Sequence, residues 1–366
     1  MNTPKLRFKE FNDTWKKIQL SSFVNINPQN DSLPEKFIYI DLESVNNGLL
    51  TSKKIINRSE APSRAKRTII KNDILYQTVR PYQMNNLFIN SLDSDYPYIA
   101  STGYALLRTK ENPYFVYSIL HQKSFVNKVL DMCTGTSYPA INATDLGKIS
   151  VGLPSIKEQE KISRTLELLD KKIELQTKKI EDLKLFKLCN YDNLFSNQTH
   201  EVQLKNISKI EKGKQLNNEL LIENGSYYML NGGVSPSGYT NEYNANENTI
   251  TISEGGNSCG YVNFNKNKFW CGGHCYKVIP NGINNNYLYH NLKYNEKKIM
   301  DLRVGSGLPN IQKKDIENFK ISIHNENEQL KISNYFDKYD LKIELEELKL
   351  NKLMELKKGL MQNMFV

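Results

Sequence analysis

The sequence predicts an α+β chain: two mixed α/β domains separated by two long helices that form an antiparallel coiled coil, a pseudo-two-fold internal duplication. Three observations predict it. The 366 residues repeat themselves at an offset of 170. The repeated stretch carries an apolar heptad seam. Short β-rich runs separated by Asn, Gly and Ser fill the intervals. The boundaries read as a first domain over 1–153, a first helix over 154–198, a second domain over 199–324 and a second helix over 325–366.

The repeat is direct. At the offset of 170, residues 158–196 give 15 identities without a gap, among them Glu158, Gln159, Asp170, Leu175, Lys187 and Phe195. The register extends upstream, where Gly135, Pro139, Ile141 and Asp145 fall on Gly305, Pro309, Ile311 and Asp315. Near the start, Ile18-Gln19-Leu20 matches Val202-Gln203-Leu204 at an offset of 184. Between these anchors the halves diverge, as expected for one scaffold carrying two different surfaces.

Both helices have start signals. Pro154 precedes Ser155-Ile156-Lys157-Glu158, a capping-box pattern, and Asn325 stands before Glu328 at the equivalent place. The first seam runs Ile162, Leu166, Leu169, Ile173, Gln176, Ile180, Leu183, Lys187. The second runs Ile332, Phe336, Tyr339, Ile343, Glu346, Leu350, Leu353, Lys357. The polar steps fall at the same places, Gln176/Glu346 and Lys187/Lys357. They are candidates for setting coiled-coil register, since polar seam residues trade stability for pairing specificity. Their alternative is a solvent-facing position where the seam drifts. Helices of some 35 residues extend roughly 50 Å. Packing against each other, with one domain at each end, buries both stripes without a knot. Leu168, Leu175, Leu185 and Leu188, with Leu341, Leu345, Leu348 and Leu356, widen the stripe enough for a partner's helices or for the chain's own domains.

In the first domain, 36–41, 68–79 and 104–108 read as strands and 113–130 as a helix. In the second, 227–230, 249–253 and 275–279 read as strands and 286–303 as a helix. Each domain is expected to surround a twisted sheet.

Composition narrows the function. Hydrophobic residues make up 39% and charged residues 24%, so folded cores are expected rather than disorder. No apolar run is long enough to span a bilayer and no apolar signal core opens the chain, which reads as cytoplasmic. The net charge of +9 favours a polyanionic partner. Residues 51–71 alone hold seven cations and one anion. A solvated lysine-rich surface is the competing explanation. Five cysteines form no even disulfide framework. Cys271, His274 and Cys275 invite a zinc reading, but the pair has no matching second pair, and small residues in a tight glycine-rich strand region explain them.

No catalytic constellation emerges. Asn112-Pro113-Tyr114-Phe115 is similar to the Asn-Pro-Pro-Tyr motif of adenine methyltransferases but lacks the second proline and a cofactor loop, and a helix start explains it. Glu254-Gly255-Gly256-Asn257 fits no nucleotide fingerprint. A catalytic duplication should repeat its catalytic residues, and this one repeats its helices.

Over essentially its whole length the chain resembles the specificity (S) subunit of type I restriction-modification enzymes. The resemblance rests on the opening Pro4-Lys-Leu-Arg-Phe-Lys-Glu-Phe11 with Trp15, and on Leu153-Pro154-Ser-Ile-Lys-Glu-Gln159. It rests also on Leu169-Asp-Lys-Lys-Ile173, on Asn193-Leu-Phe195 and on their second-half counterparts. His324 replaces Pro154 in the second half. The resemblance implies two target-recognition domains, each reading one half of a bipartite double-stranded DNA sequence, and helices that act as spacer and dock two modification (M) subunits. It implies no catalysis and no cofactor in this chain. S-adenosylmethionine would be bound by the M subunits, and ATP and Mg by restriction (R) subunits. For DNA contact the candidates are Arg64, Lys66, Arg67, Arg80 and Tyr82 in the first domain. In the second they are Lys212, Lys214, Asn231, Tyr239 and Asn257. The rival functions are a stand-alone DNA methyltransferase or nuclease, and a coiled-coil adaptor that binds only proteins.

Overall fold

The computed structural model describes residues 3–29, 32–135, 137–196, 200–305 and 307–366. The expected boundary at 198/199 lies outside the described residues. They pack as two compact units, 1–175 with 350–366, and 176–349. The long helices are Ile156–Phe195 and Glu326–Asn363, and each contributes one part to each unit.

In the first unit, Lys16–Gln19 pairs antiparallel with Ser150–Leu153, the strand that feeds the first long helix. One sheet orders Val24–Ile26, Tyr104–Thr109, Ile74–Gln77 and Leu87–Phe88. A second orders Lys54–Asn57, Lys36–Ile40, Tyr98–Ser101 and Ala65–Ile69. Each domain thus holds more than the one sheet expected. Strand periodicity explains the layering. Ile74 and Tyr76 point into a core shared with the helices, while Leu75 points into a core between the sheets. Ile38 and Ile40 enter that second core, and Phe37 and Tyr39 a third beyond it. Buried on both faces, these strands read as continuous apolar runs rather than alternating ones.

The expected strand over 68–79 is two strands, Ala65–Ile69 and Ile74–Gln77. Asn72 turns the chain at φ +71°, and buried Asp73 accepts the Ile70 N–H and a two-pronged bond from Arg108, each at 2.8 Å. The expected helix over 113–130 is also two pieces, Pro113–Leu120 and Lys123–Asp131, with Gln122 extended between them. Unbroken, its core residues Phe115, Ile119, Leu120, Phe125 and Val129 would spread over roughly 220° of the helix circumference. The break brings all five into one core. The second-domain helix splits likewise, into Asn285–Tyr294 and Glu296–Met300.

The second unit has a four-stranded antiparallel sheet ordered Ser208–Lys212, Cys275–Pro280, Thr249–Ser253 and Val262–Asn265. A three-stranded sheet orders Gly238–Thr240, Tyr227–Leu230 and Trp270–Cys271. Glu201–Gln203 pairs with Lys320–Ser322 as Lys16–Gln19 does with Ser150–Leu153.

The repeated Glu-Gln pair secures each long helix differently. Gln159 Nε2 donates to the Pro154 carbonyl (3.0 Å), and Gln329 Nε2 to the equivalent His324 carbonyl (2.8 Å). Their amide oxygens accept the N–H of Asn112 and of Asn284, the residues that cap the following short helices. Glu328 completes a cap with Asn325. Glu158 instead is buried and holds Arg7 through two bonds of 2.8 Å, with Trp15 Nε1 at 3.3 Å. A carboxylate out of water needs such a partner.

Candidate nucleic-acid interface

The first unit carries an open groove of about 1040 Å³. Its wall is the turn that follows Ile74–Gln77. Gln77 Nε2 donates to the Val79 carbonyl and to Gln83 Oε1, both at 2.8 Å, while Gln77 Oε1 accepts the Asn85 N–H at 3.1 Å. Within this tied turn Arg80 stands at φ +54° and Met84 at φ +52°. A side chain with a Cβ in that region is strained by about 1 kcal/mol or more. The Arg80 guanidinium lies 4.3 Å above the Tyr138 ring. Arg64 lines the same groove, with Gln83, Asn85 and Asn46.

The structure therefore brings Arg64 and Arg80 together. Tyr82 is exposed on the turn Pro81–Gln83. Lys66 lines a separate shallow groove beside Arg58. Strand register shifts where Arg67 and Ala65 pair with Ala100 and Ser101, a bulge at Lys66. Arg67 is half-buried, its Nε lacks a protein partner, and burial pulls its guanidinium below the ordinary value.

In the second unit the candidates are dispersed in role. Lys212 Nζ is held at 2.6 Å by Glu254 Oε1, a buried carboxylate that also accepts the Tyr276 hydroxyl at 2.9 Å. Asn231 Oδ1 accepts the His274 N–H at 3.1 Å and so braces the glycine-rich segment. Lys214 is exposed, and its carbonyl accepts from Trp270 Nε1 at 2.8 Å. Tyr239 is exposed on Gly238–Thr240, and Asn257 on the turn Gly256–Ser258. Cys271 and Cys275 are buried in the sheet core while His274 is exposed. Among the described residues no three His, Cys, Asp or Glu side chains gather to hold a metal.

Two turns, one in each half, make equivalent backbone bonds. Arg80 N–H donates to the Pro139 carbonyl at 2.8 Å, and Gly256 N–H to the Pro309 carbonyl at 3.0 Å. Pro139 and Pro309 are repeat partners. Gly256 stands at φ +74°, a positive φ like that of Arg80, and as a glycine it holds it without strain. One half presents Arg-Pro-Tyr-Gln and the other Gly-Asn-Ser on the same frame. Polar groups and a guanidinium at an open groove can grip a polyanion and exchange hydrogen bonds with base edges.

The polar seam residues lie inside the helix pair. Gln176 Nε2 donates to Glu346 Oε2 (2.6 Å) and to its carbonyl (3.0 Å), with Lys179 on Glu346 Oε1 at 2.5 Å. In the second unit Lys187 pairs with Asp340; in the first, Lys357 pairs with Asp170 at 2.5 Å. These are the same pair, once per repeat. Lys187 and Gln176 are buried, whereas the eight ridge leucines are each more than half exposed.

Sequence reasoning missed Tyr138, Gln77, Gln83 and Asn85. The available signal was the repeated Gly135/Gly305 and Pro139/Pro309, which frame Tyr138. The other three depend on a turn whose partners are polar and invisible to periodicity.

The chain matches the type I restriction modification DNA specificity domain twice, over residues 12–185 and 197–355. It is 36% identical over 172 residues to a candidate type I specificity subunit of Mycoplasma pneumoniae, covering 46% of this chain and 44% of that one. It is 30% identical over 147 residues to the specificity subunit of the type I restriction enzyme HindI of Haemophilus influenzae, covering 38% and 31%. The chain thus spans less than half the length of the curated relatives it matches. The crystal structure of the S subunit of a type I restriction-modification system from M. genitalium has a similar fold. Its TM-score is 0.69 at 21% identity, over 100% of this chain and 99% of that one. A structure describing complex assembly and conformational transition of the type I R-M system aligns with a TM-score of 0.58 at 21% identity, over 95% and 96%. Matched in both halves and over most of its length, the chain belongs to the type I restriction-modification DNA specificity family.

Proposed function

We propose that this chain is the sequence-specific DNA-recognition subunit of a type I restriction-modification complex, each domain reading one half of a bipartite target. The carrying observation is the pair of equivalent turns, Arg80–Gln83 and Gly256–Ser258, which share a frame and differ in every exposed group. A shared frame with different groups is what reading two different half-sites requires. Arg64, Arg80 and Tyr82 contact DNA from the first domain, joined by Lys66 and Arg67 as phosphate contacts. Lys214, Tyr239 and Asn257 do so from the second, with Lys212 and Asn231 shaping the surface.

The subunit carries no reaction itself. Methyl transfer from S-adenosylmethionine belongs to two modification subunits docked on the exposed leucine ridges, and ATP- and Mg-dependent work to restriction subunits. The test is selection of bound duplexes from a random library by the chain with its modification subunit. A two-part consensus is expected, with binding that weakens steeply as salt rises. Replacing residues 1–150 with those of a relative should change one half of the consensus only. Change in both halves or neither defeats the modular reading. Methyl transfer by the chain alone would establish the rival catalytic function.

A further inference from the structure

The recognition surfaces diverge, yet one surface loop in each domain does not. At the offset of 170, Gly135, Pro139 and Ile141 recur as Gly305, Pro309 and Ile311. The loops are built alike. Thr134 and Ala140 exchange two backbone hydrogen bonds of 2.9 and 3.0 Å, and Val304 and Asn310 exchange two of the same lengths. Gly135 stands at φ +88° and Gly305 at φ +100°, a conformation that favours glycine. Ile141 and Ile311 are buried anchors. Both loops are clamped to a reading turn. Ile141 N–H donates to the Thr78 carbonyl (3.0 Å) and Ile311 N–H to the Glu254 carbonyl (2.8 Å), beside the Pro139 and Pro309 bonds already described.

What such a frame holds out is apolar. Tyr138 is 64% exposed and its repeat partner Leu308 is 87% exposed, the highest value for any large hydrophobic among the described residues. A leucine left in water on a braced loop is not a core residue that strayed. Arg80 stacks on Tyr138, and exposed Arg303 stands immediately before Val304 in the chain. An apolar tip with arginine beside it suits the wall of a nucleic-acid groove, where side chains of this kind press against sugars and base steps.

We propose that Tyr138, beside the Thr134–Ala140 pair, and Leu308, beside the Val304–Asn310 pair, are a shared, sequence-independent DNA contact. In it Tyr138 and Leu308 enter a groove of each half-site and add affinity beside the clamped turn that reads bases. The proposal rests on the DNA-recognition function above. Its repetition follows: whatever bases each domain reads, both must seat on the same duplex geometry.

The full chain, co-purified with its modification subunit, tests this on the duplex selected by the wild type and on single-mismatch versions of it. Leu308→Ser and Tyr138→Ser should each weaken all of these by the same factor, about tenfold, the loss expected when one such side chain no longer leaves water on binding. Leu308→Ser should leave the selected consensus unchanged, and Leu308→Met and Tyr138→Phe should keep wild-type affinity. Unchanged affinity in the serine variants, or a consensus shifted by Leu308→Ser, overturns the loop's role and leaves the recognition function standing. So does loss of the modification subunit from the serine variants, which would make the tip a protein contact. A wild-type complex that selects no consensus overturns the recognition function, and this proposal with it.

Discussion

Arg80 is held at φ +54° by hydrogen bonds that Gln77 and Pro139 make to the turn around it, where the second half places Gly256. An arginine kept where glycine would be relaxed points to work done by its side chain. Arg80→Gly is therefore expected to leave unfolding stability unchanged or raise it by about 1 kcal/mol. The same variant should weaken DNA binding roughly tenfold, as loss of one charge-assisted contact predicts. Urea unfolding and fluorescence anisotropy on one preparation check both. A variant less stable than wild type would make Arg80 a structural residue. The cation itself was legible in the sequence, but its backbone conformation was not. Likewise Lys212 and Asn231 looked like free polar groups, because their partners Glu254 and His274 lie more than 40 residues away.

Among elements, the long helices followed their seam closely. Ile162, Leu166, Leu169 and Ile180 are buried in the first, and Ile332, Phe336 and Ile343 in the second. Their polar partners could not be paired from periodicity, since an antiparallel register depends on both helices at once. Lys187→Met should destabilise the second unit by about 2 kcal/mol, the cost of leaving a partly exposed Asp340 unpaired. Adding Asp340→Leu should recover most of the loss, read as the urea midpoint. No recovery would mean that the pair contributes net stability. His290, on Asn285–Tyr294, packs beside that pair. Its Nε2 lies 3.1 Å from Asp337 Oδ1 and its Nδ1 2.9 Å from the Tyr191 hydroxyl. Burial pushes its pKa below the ordinary 6.5, and does the same for His121 and His324. The unfolded chain then binds protons first as pH falls. Stability should be fully present above about pH 6.5 and decline below it, and His290→Gln should flatten that decline. Urea midpoints that do not change from pH 7 to pH 5 would contradict a neutral buried His290.

For the whole molecule, the exposed ridges matter most. Leu168, Leu175 and Leu356 in the first unit, and Leu185, Leu188, Leu341, Leu345 and Leu348 in the second, leave apolar surface in water. Exposed leucines repeated along a helix are what a partner's apolar surface would cover. Leu185→Glu with Leu188→Glu should preserve the circular dichroism melt and abolish co-purification with the modification subunit. A variant complex that still forms would move the docking surface elsewhere. Among the described residues no helix is long and apolar enough to cross a membrane.

The amino-acid sequence by itself determined the duplication, the two helices and their seam, and the strand runs at 36–41 and 249–253. These depend on patterns that repeat within a few residues, and each turn or strand enforces them locally. Tertiary structure decided the rest. It broke the helix at Gln122 so that both pieces could face one core. It split the strand at Asn72 to bury Asp73 against Arg108. It turned Glu158 from a cap into a partner for Arg7. It also separated the cations already satisfied, such as Lys212 and Lys187, from the Arg64 and Arg80 that line the groove. Buried polar and charged groups take whichever partner the fold delivers, at any distance along the chain, and no local pattern records that choice.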